Sequence, residues 1–295
     1  MTDVSSKLKG IFPALLTPFN DDESISTEAL TALVKRLASK GVQGFYVGGS
    51  TGESMVMSNE ERKLVFKTVK EACPDNLALI AHVGAISTEM AIDMGKYAKS
   101  LGYTAISAVA PFYYSFKLEE ILQYYRDIVN AVDMPMIIYN FPLAGGFSLT
   151  PAIAKELFAD PRFVGIKHTS NDFFALDGFR QISDKLALFN GYDEVMLAGL
   201  GMGASGGIGS TYNVMPEKYL ALYEAFNNGE IKKAQAIQKE ICEIIRVMIK
   251  CGVMQSEKYL VSKAGIPMGD CRKPFSKLTE ESKKLLDSIT SLNFN

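Results

Sequence analysis

The feature that most constrains this chain is a series of eight short β-rich runs separated by segments of helical periodicity: GIFPALLTPF, GFYVGG, LALIAHVG, AISAVAPFYY, MIIYNF, FVGIKHTS, LALFNG and SGGIGST. They begin at Gly10, Gly44, Leu77, Ala105, Met136, Phe163, Leu186 and Ser205, so successive starts lie 19 to 34 residues apart, room in most gaps for a crossover helix. The segments between them carry helix signals. Leu30, Leu33, Val34 and Leu37 recur at the spacing that builds one apolar helix face. Ser58 followed by Glu61 fits a capping box, and Thr150 followed by Pro151 fits an N-cap with proline in the first turn. Eight right-handed βα units in series close naturally into a (β/α)8 TIM barrel, with an open doubly wound sheet as the competing topology on counting alone.

After SGGIGST no further strand pattern occurs, and Ile241, Ile244, Ile245 and Met248 mark a helix. The chain therefore reads as a single α/β domain: residues 1–215 form the barrel core, and 216–295 supply the last barrel helix and a C-terminal helical extension. A length of 295 residues suits one such barrel. At 47% hydrophobic and 22% charged, the chain can bury a large core, which excludes a disordered or fibrous protein.

Thirty-one basic residues balance 33 acidic ones, and no run of like charge is long enough to follow a phosphate backbone, so nucleic acid is not expected as a partner. No signal-like or membrane-spanning apolar stretch occurs, which points to a cytoplasmic protein. Cys73, Cys242, Cys251 and Cys271 fall at wide, irregular spacings, giving no zinc or disulfide pattern and an expectation of free, mostly buried thiols.

Barrel chemistry gathers at the C-terminal ends of the strands, and chemically capable residues collect there. The second strand ends in GGSTGE, the fifth in Tyr139, the sixth in Lys167, His168 and Thr169, the seventh in GYDE and the eighth in GST. Alternation along the sixth strand puts Phe163, Gly165, Lys167 and Thr169 on one face. If the Val164/Ile166 face meets the helices, Lys167 points into the barrel mouth. A packed lysine whose ammonium snorkels to water fits the same position. A desolvated lysine loses its proton more readily, and its amine can attack a carbonyl to form a Schiff base. Tyr139, ending the neighbouring strand, reads by itself as a core tyrosine with a satisfied hydroxyl and, beside Lys167, also as a proton shuttle. The GGSTGE loop offers successive backbone N–H groups that suit a carboxylate or phosphate, but it lacks the lysine of a P-loop.

Two patterns fail their context tests. Gly48, Ser50 and Gly52 match a G-x-S-x-G nucleophile elbow, yet the helix starts only at Ser58; Gly201, Gly203 and Gly206 match G-x-G-x-x-G, yet lead into a strand. The only histidines, His82 and His168, lie at no metal-ligand spacing, and His82 reads as a satisfied core residue. Asp193 and Glu194 are either solvated loop acids or acceptors for a polyhydroxylated substrate.

The full set of motifs, YVGGSTGE, LIAHVG, PFYY, YNFP, GIKHTS, NGYDE, GGIGSTYN and CRKPF, resembles the N-acetylneuraminate lyase branch of the pyruvate-dependent class I aldolases, the superfamily that also holds dihydrodipicolinate synthase. The resemblance spans nearly the whole chain. It implies a barrel in which Lys167 forms the Schiff base and Tyr139 moves the proton. It implies that Ser50 and Thr51 hold the pyruvate carboxylate, and that Thr169, Gly191, Asp193, Glu194 and Ser210 meet sugar hydroxyls. The implied reaction is reversible cleavage of open-chain N-acetylneuraminate to N-acetylmannosamine and pyruvate, without metal or other cofactor. Family members are typically homotetramers, and Tyr113 matches a tyrosine that reaches a neighbouring subunit's site.

Within the superfamily, YNFPLAGG lacks the arginine with which dihydrodipicolinate synthases bind a second carboxylate, and Ser50 stands where those enzymes tend to have threonine; both favour the lyase branch. His168, where glutamine is familiar, and LAGG depart from the lyase pattern. Other 2-keto acid aldolases of the superfamily are the runner-up reading. An idle sugar-binding or regulatory barrel is the reading from another class, disfavoured by the intact Lys167 and Tyr139.

Overall fold

The computed structural model describes residues 4–289. Its strands are β1 (Gly10–Pro13), β2 (Gly44–Val47), β3 (Ala78–His82), β4 (Ala105–Val109), β5 (Met136–Asn140), β6 (Phe163–His168), β7 (Ala187–Asn190) and β8 (Gly206–Gly209). Each starts within one residue of the run that predicts it. They form one sheet in the order β1-β8-β7-β6-β5-β4-β3-β2, the cyclic order of a (β/α)8 barrel. The helices are α1 (Thr27–Ser39), α2 (Asn59–Ala72), α3 (Thr88–Ser100), α4 (Leu118–Val132), α5 (Pro142–Gly145), α6 (Pro151–Leu157), α7 (Phe173–Arg180), α8 (Met196–Gly201), α9 (Pro216–Asn227), α10 (Ile231–Cys251), α11 (Val253–Lys263) and α12 (Glu280–Asp287). None of the described helices is long and apolar enough to cross a membrane.

The chain packs as two compact units, one taking in residues up to Gly10 and Ala78–Ile208, the other Ile11–Leu77 and the chain from Gly209 on. In the first unit β3 to β8 pair in parallel, each with the next. Their residues are buried on both faces, Val164 alone being half-buried, which is why they read as continuous apolar runs and not as alternation. Gly165 is required by the close approach of β6 to β7: a Cβ there would overlap the Ala187 carbonyl. Thr150 caps α6 by accepting the Ile153 N–H at 3.3 Å, as its sequence predicts.

In the second unit Leu30, Leu33, Val34 and Leu37 form the buried stripe of α1. The capping box of α2 is present in both directions, Ser58 N–H donating to Glu61 at 2.8 Å and Glu61 N–H to the Ser58 hydroxyl at 3.2 Å. Ile241, Ile244, Ile245 and Met248 are the buried face of α10, and the described chain after β8 is helical with no further strand. The thiols correct one expectation. All four cysteines are free, but only Cys73 is buried; the others are half-buried, Cys242 because it sits one position round α10 from the buried Ile241.

Candidate active site

In the first unit the parallel register of β5 against β6 sets Tyr139 opposite Lys167 and Asn140 opposite His168. The Lys167 Nζ lies 4.2 Å from the centre of the Tyr139 ring. That ring is stacked on Phe141, with centroids 5.6 Å apart and planes 12° from parallel, and meets the edge of His82 at 5.9 Å. His82 is fully buried and accepts from the Val109 N–H at 3.4 Å, the core role its sequence context suggests.

Lys167 is 5% exposed. Burial lowers its pKa from 10.5 to about 7, with the Asp193 carboxylate drawing it partly back up. An aromatic face at this distance favours the ammonium by about 0.5–2 kcal/mol. Desolvation acts the other way and is larger: a fall from 10.5 to about 7 corresponds to roughly 5 kcal/mol. Burial thus leaves no room for the snorkelling alternative, and the side chain carries a substantial neutral-amine fraction at neutral pH.

Around this pair stand Thr169, Gly191 and Asp193. Thr169 directly follows β6, and its buried hydroxyl oxygen has no hydrogen-bond partner among the described residues. A Cβ on Gly191 would overlap that hydroxyl, so glycine is what lets the chain after β7 pass it. Asp193 is buried at the start of a 3-10 turn, Asp193–Val195, while Glu194 beside it is exposed. Of the two acids, the first belongs to the interior and the second to solvent. Tyr113 lies apart from these residues in character: it is 86% exposed, has a left-handed φ of 80°, and meets Tyr114 edge to face at 5.0 Å.

In the second unit Ser50 and Thr51 open a 3-10 turn, Ser50–Gly52, that begins directly after β2 and Gly48–Gly49. The α-helix follows only from Asn59, so the nucleophile-elbow geometry is absent here. Gly48 has φ 71°, and the turn closes on Glu53, left-handed at φ 58° and ψ 29°. The Thr17 hydroxyl donates to the Gly52 carbonyl at 2.8 Å. Glu53 is held harder still. Its carboxylate meets the Lys258 ammonium at 2.6 Å and accepts the Arg272 backbone N–H at 2.8 Å, and the Glu53 and Lys258 side chains are 0% and 1% exposed. Both cations also cover Phe19, at 4.2 Å for Lys258 and 4.3 Å for Arg272. Sequence reasoning missed Glu53 and Lys258, although the glutamate closes the quoted GGSTGE and Arg272 lies in CRKPF. Ser210 directly follows β8, and its carbonyl accepts both the backbone N–H of Asn213, at 3.1 Å, and its side-chain amide, at 2.7 Å.

Among the described residues no group of three or more His, Cys, Asp or Glu is placed to hold a metal ion. The arrangement in the first unit supplies what covalent carbonyl chemistry requires: a desolvated amine, a phenol against it, and an unused buried hydroxyl.

The family model of the dihydrodipicolinate synthetase family matches residues 7–292. The chain belongs to the dihydrodipicolinate synthetase family. Among curated relatives, the N-acetylneuraminate lyase of Rhizobium meliloti (strain 1021) is 44% identical over 275 residues, covering 93% of this chain and 91% of the relative. Among solved structures, CdNal from Clostridium difficile in complex with mannosamine is 36% identical with a TM-score of 0.93, over 95% of this chain and 97% of that one. A catalytic lysine mutant of Ruminococcus gnavus sialic acid aldolase is 33% identical, also at 0.93, over 96% and 95% of the two chains. These likenesses place the family's TIM-barrel fold on this chain and agree with the strand order.

Proposed function

We propose that this chain is a lyase that cleaves open-chain N-acetylneuraminate reversibly to N-acetylmannosamine and pyruvate through a Schiff base on Lys167. The observation that carries the reading is the buried amine of Lys167, its pKa lowered to about 7, against the face of Tyr139, in a family member whose relatives carry the N-acetylneuraminate lyase name.

The free amine attacks the substrate's C2 ketone, and the carbinolamine hydroxyl leaves as water with the proton of the Tyr139 phenol, giving an iminium and a phenolate. As the C3–C4 bond breaks, its electron pair moves into the iminium to give an enamine while Tyr139, as phenolate, takes the C4 hydroxyl proton, and the aldehyde of N-acetylmannosamine is released. Protonation of the enamine at C3 and hydrolysis return pyruvate and the free lysine. The electron sink is the protein's own imine, so the reaction needs no external cofactor.

By the family resemblance, Ser50 and Thr51 take the substrate carboxylate, and Thr169, Gly191, Asp193, Glu194 and Ser210 take the sugar hydroxyls. The orphan Thr169 hydroxyl and the buried Asp193 carboxylate support the assignment for those two. On the same basis the enzyme is a cytoplasmic homotetramer in which the exposed Tyr113 reaches the neighbouring subunit's site. Coupled assays separate the substrates. Turnover with N-acetylneuraminate and none with aspartate semialdehyde plus pyruvate is the expected result; the reverse pattern overturns the substrate assignment.

A further inference from the structure

Beside the Tyr139/Lys167 rung, the next rung of the same two strands carries a second, differently built pair. Asn140 and His168 are both buried, with the Asn140 amide nitrogen 3.0 Å from His168 Nδ1. The Asn140 amide oxygen accepts the backbone N–H of Leu149 at 3.0 Å, which closes the base of the loop that leaves β5. The other ring nitrogen, Nε2, lies 2.9 Å from the Asp172 carbonyl, and Asp172 in turn caps α7 through the Ala175 N–H at 2.9 Å. Phe179 of α7 holds the imidazole edge to face at 5.5 Å.

These bonds fix one protonation pattern. Because the Leu149 N–H can only donate, the Asn140 oxygen faces Leu149 and its NH2 faces the ring. Nδ1 must therefore accept, and Nε2 carries the hydrogen that the Asp172 carbonyl accepts. A doubly protonated ring would set an N–H against an NH2 group. Burial also lowers the His168 pKa, opposed only in part by the Asp172 carbonyl and carboxylate, so the neutral ring is the form the fold selects.

The loop held in this way begins with Phe141, the residue stacked on Tyr139, and continues through α5, where Leu143 is 83% exposed. It is the βα loop of the strand that ends in the proton-shuttling phenol, on the face where barrel enzymes build specificity. We infer that Asn140 and His168 are positioning residues that clamp the 141–149 loop in place to receive the aldehyde half of the substrate. This inference rests on the proposed lyase reaction and names a specificity role within it. The pair does not touch the reacting atoms; it acts through the loop and through Phe141.

The test uses the full-length enzyme in the synthetic direction, with pyruvate and N-acetylmannosamine as the probes. In His168→Leu both ring bonds are lost, and the KM for N-acetylmannosamine should rise by about tenfold or more, the scale of a misplaced substrate-positioning group. The KM for pyruvate and the yield of borohydride-trapped pyruvate adduct should stay within about twofold of wild type. His168→Gln offers one acceptor and one donor and should restore the sugar KM, which a merely space-filling histidine would not require. Exchange of the Leu149 amide hydrogen should be faster in His168→Leu and near wild type in His168→Gln. If His168→Leu fails to fold, Asn140→Ser breaks the same clamp from the other side with the same expected split. A parallel rise in both KM values, a sugar KM that glutamine does not rescue, or unchanged Leu149 exchange overturns the inference. Wild type that traps pyruvate but does not turn over N-acetylmannosamine overturns the proposed reaction instead, and Leu149 exchange then decides the clamp by itself.

Discussion

Tyr139 and Lys167 occupy the same rung of two adjacent parallel strands, and the lysine Nζ sits 4.2 Å from the centre of the phenol ring. The register of β5 on β6 therefore places the amine and the phenol proposed as nucleophile and proton shuttle together before any loop is involved. The strand supplies rigidity, and burial supplies the reactivity.

That reactivity should titrate. With a pKa of about 7 for Lys167, the rate of imine formation with pyruvate should rise as pH increases through about 7 and level off above it. Pre-steady-state trapping across pH measures this directly. A midpoint near the ordinary lysine value of roughly 10.4 contradicts the desolvation argument.

The same burial makes Lys167 a stability liability. Its folded pKa is depressed below the unfolded one, so the associated stability is present above pH 10.5 and is lost as pH falls toward about 7. Lys167→Met should be inactive and more stable than wild type at pH 7, by on the order of 3–5 kcal/mol in chemical denaturation, with the gap closing above pH 10.5. A variant less stable than wild type at pH 7 rules this out.

Tyr139→Phe keeps the ring against the lysine and the stack on Phe141 but removes the hydroxyl. Pyruvate adduct formation should persist, while the rate of N-acetylneuraminate cleavage falls by about 10²–10⁴, the usual worth of a positioned acid/base group. Equal cleavage rates remove Tyr139 from the mechanism.

The Glu53–Lys258 pair is enclosed, so breaking it leaves a buried charge uncompensated. Glu53→Gln and Lys258→Met should each destabilise by about 3–5 kcal/mol, and the double variant should lose clearly less than the two combined. Denaturation curves of the four proteins form the cycle. Additive losses show that the two side chains do not act as a pair.

Much of this was legible in the sequence because parallel strands buried on both faces leave an unmistakable apolar trace, and a lysine or tyrosine at the end of such a run stands out. Lys167 and Tyr139 were visible for that reason. Lys258 was not: SEKYLV reads as an ordinary stretch of amphipathic helix, and the partners that bury it come from far along the chain, as the 219-residue separation of Glu53 and Arg272 illustrates. Asn140 was hidden differently, since its importance lies in orientation toward His168 and Leu149, which no spacing encodes. Cys242, Cys251 and Cys271 show the limit of composition: residue type suggested burial, but position at a helix flank or in a loop decided exposure.

The most direct measurement is to incubate the protein with pyruvate, reduce with borohydride and map the modified peptide by mass spectrometry. The expected result is a single reduced pyruvate adduct on Lys167, absent in Lys167→Met. No adduct, or one on another lysine, contradicts the Schiff-base chemistry assigned to this site.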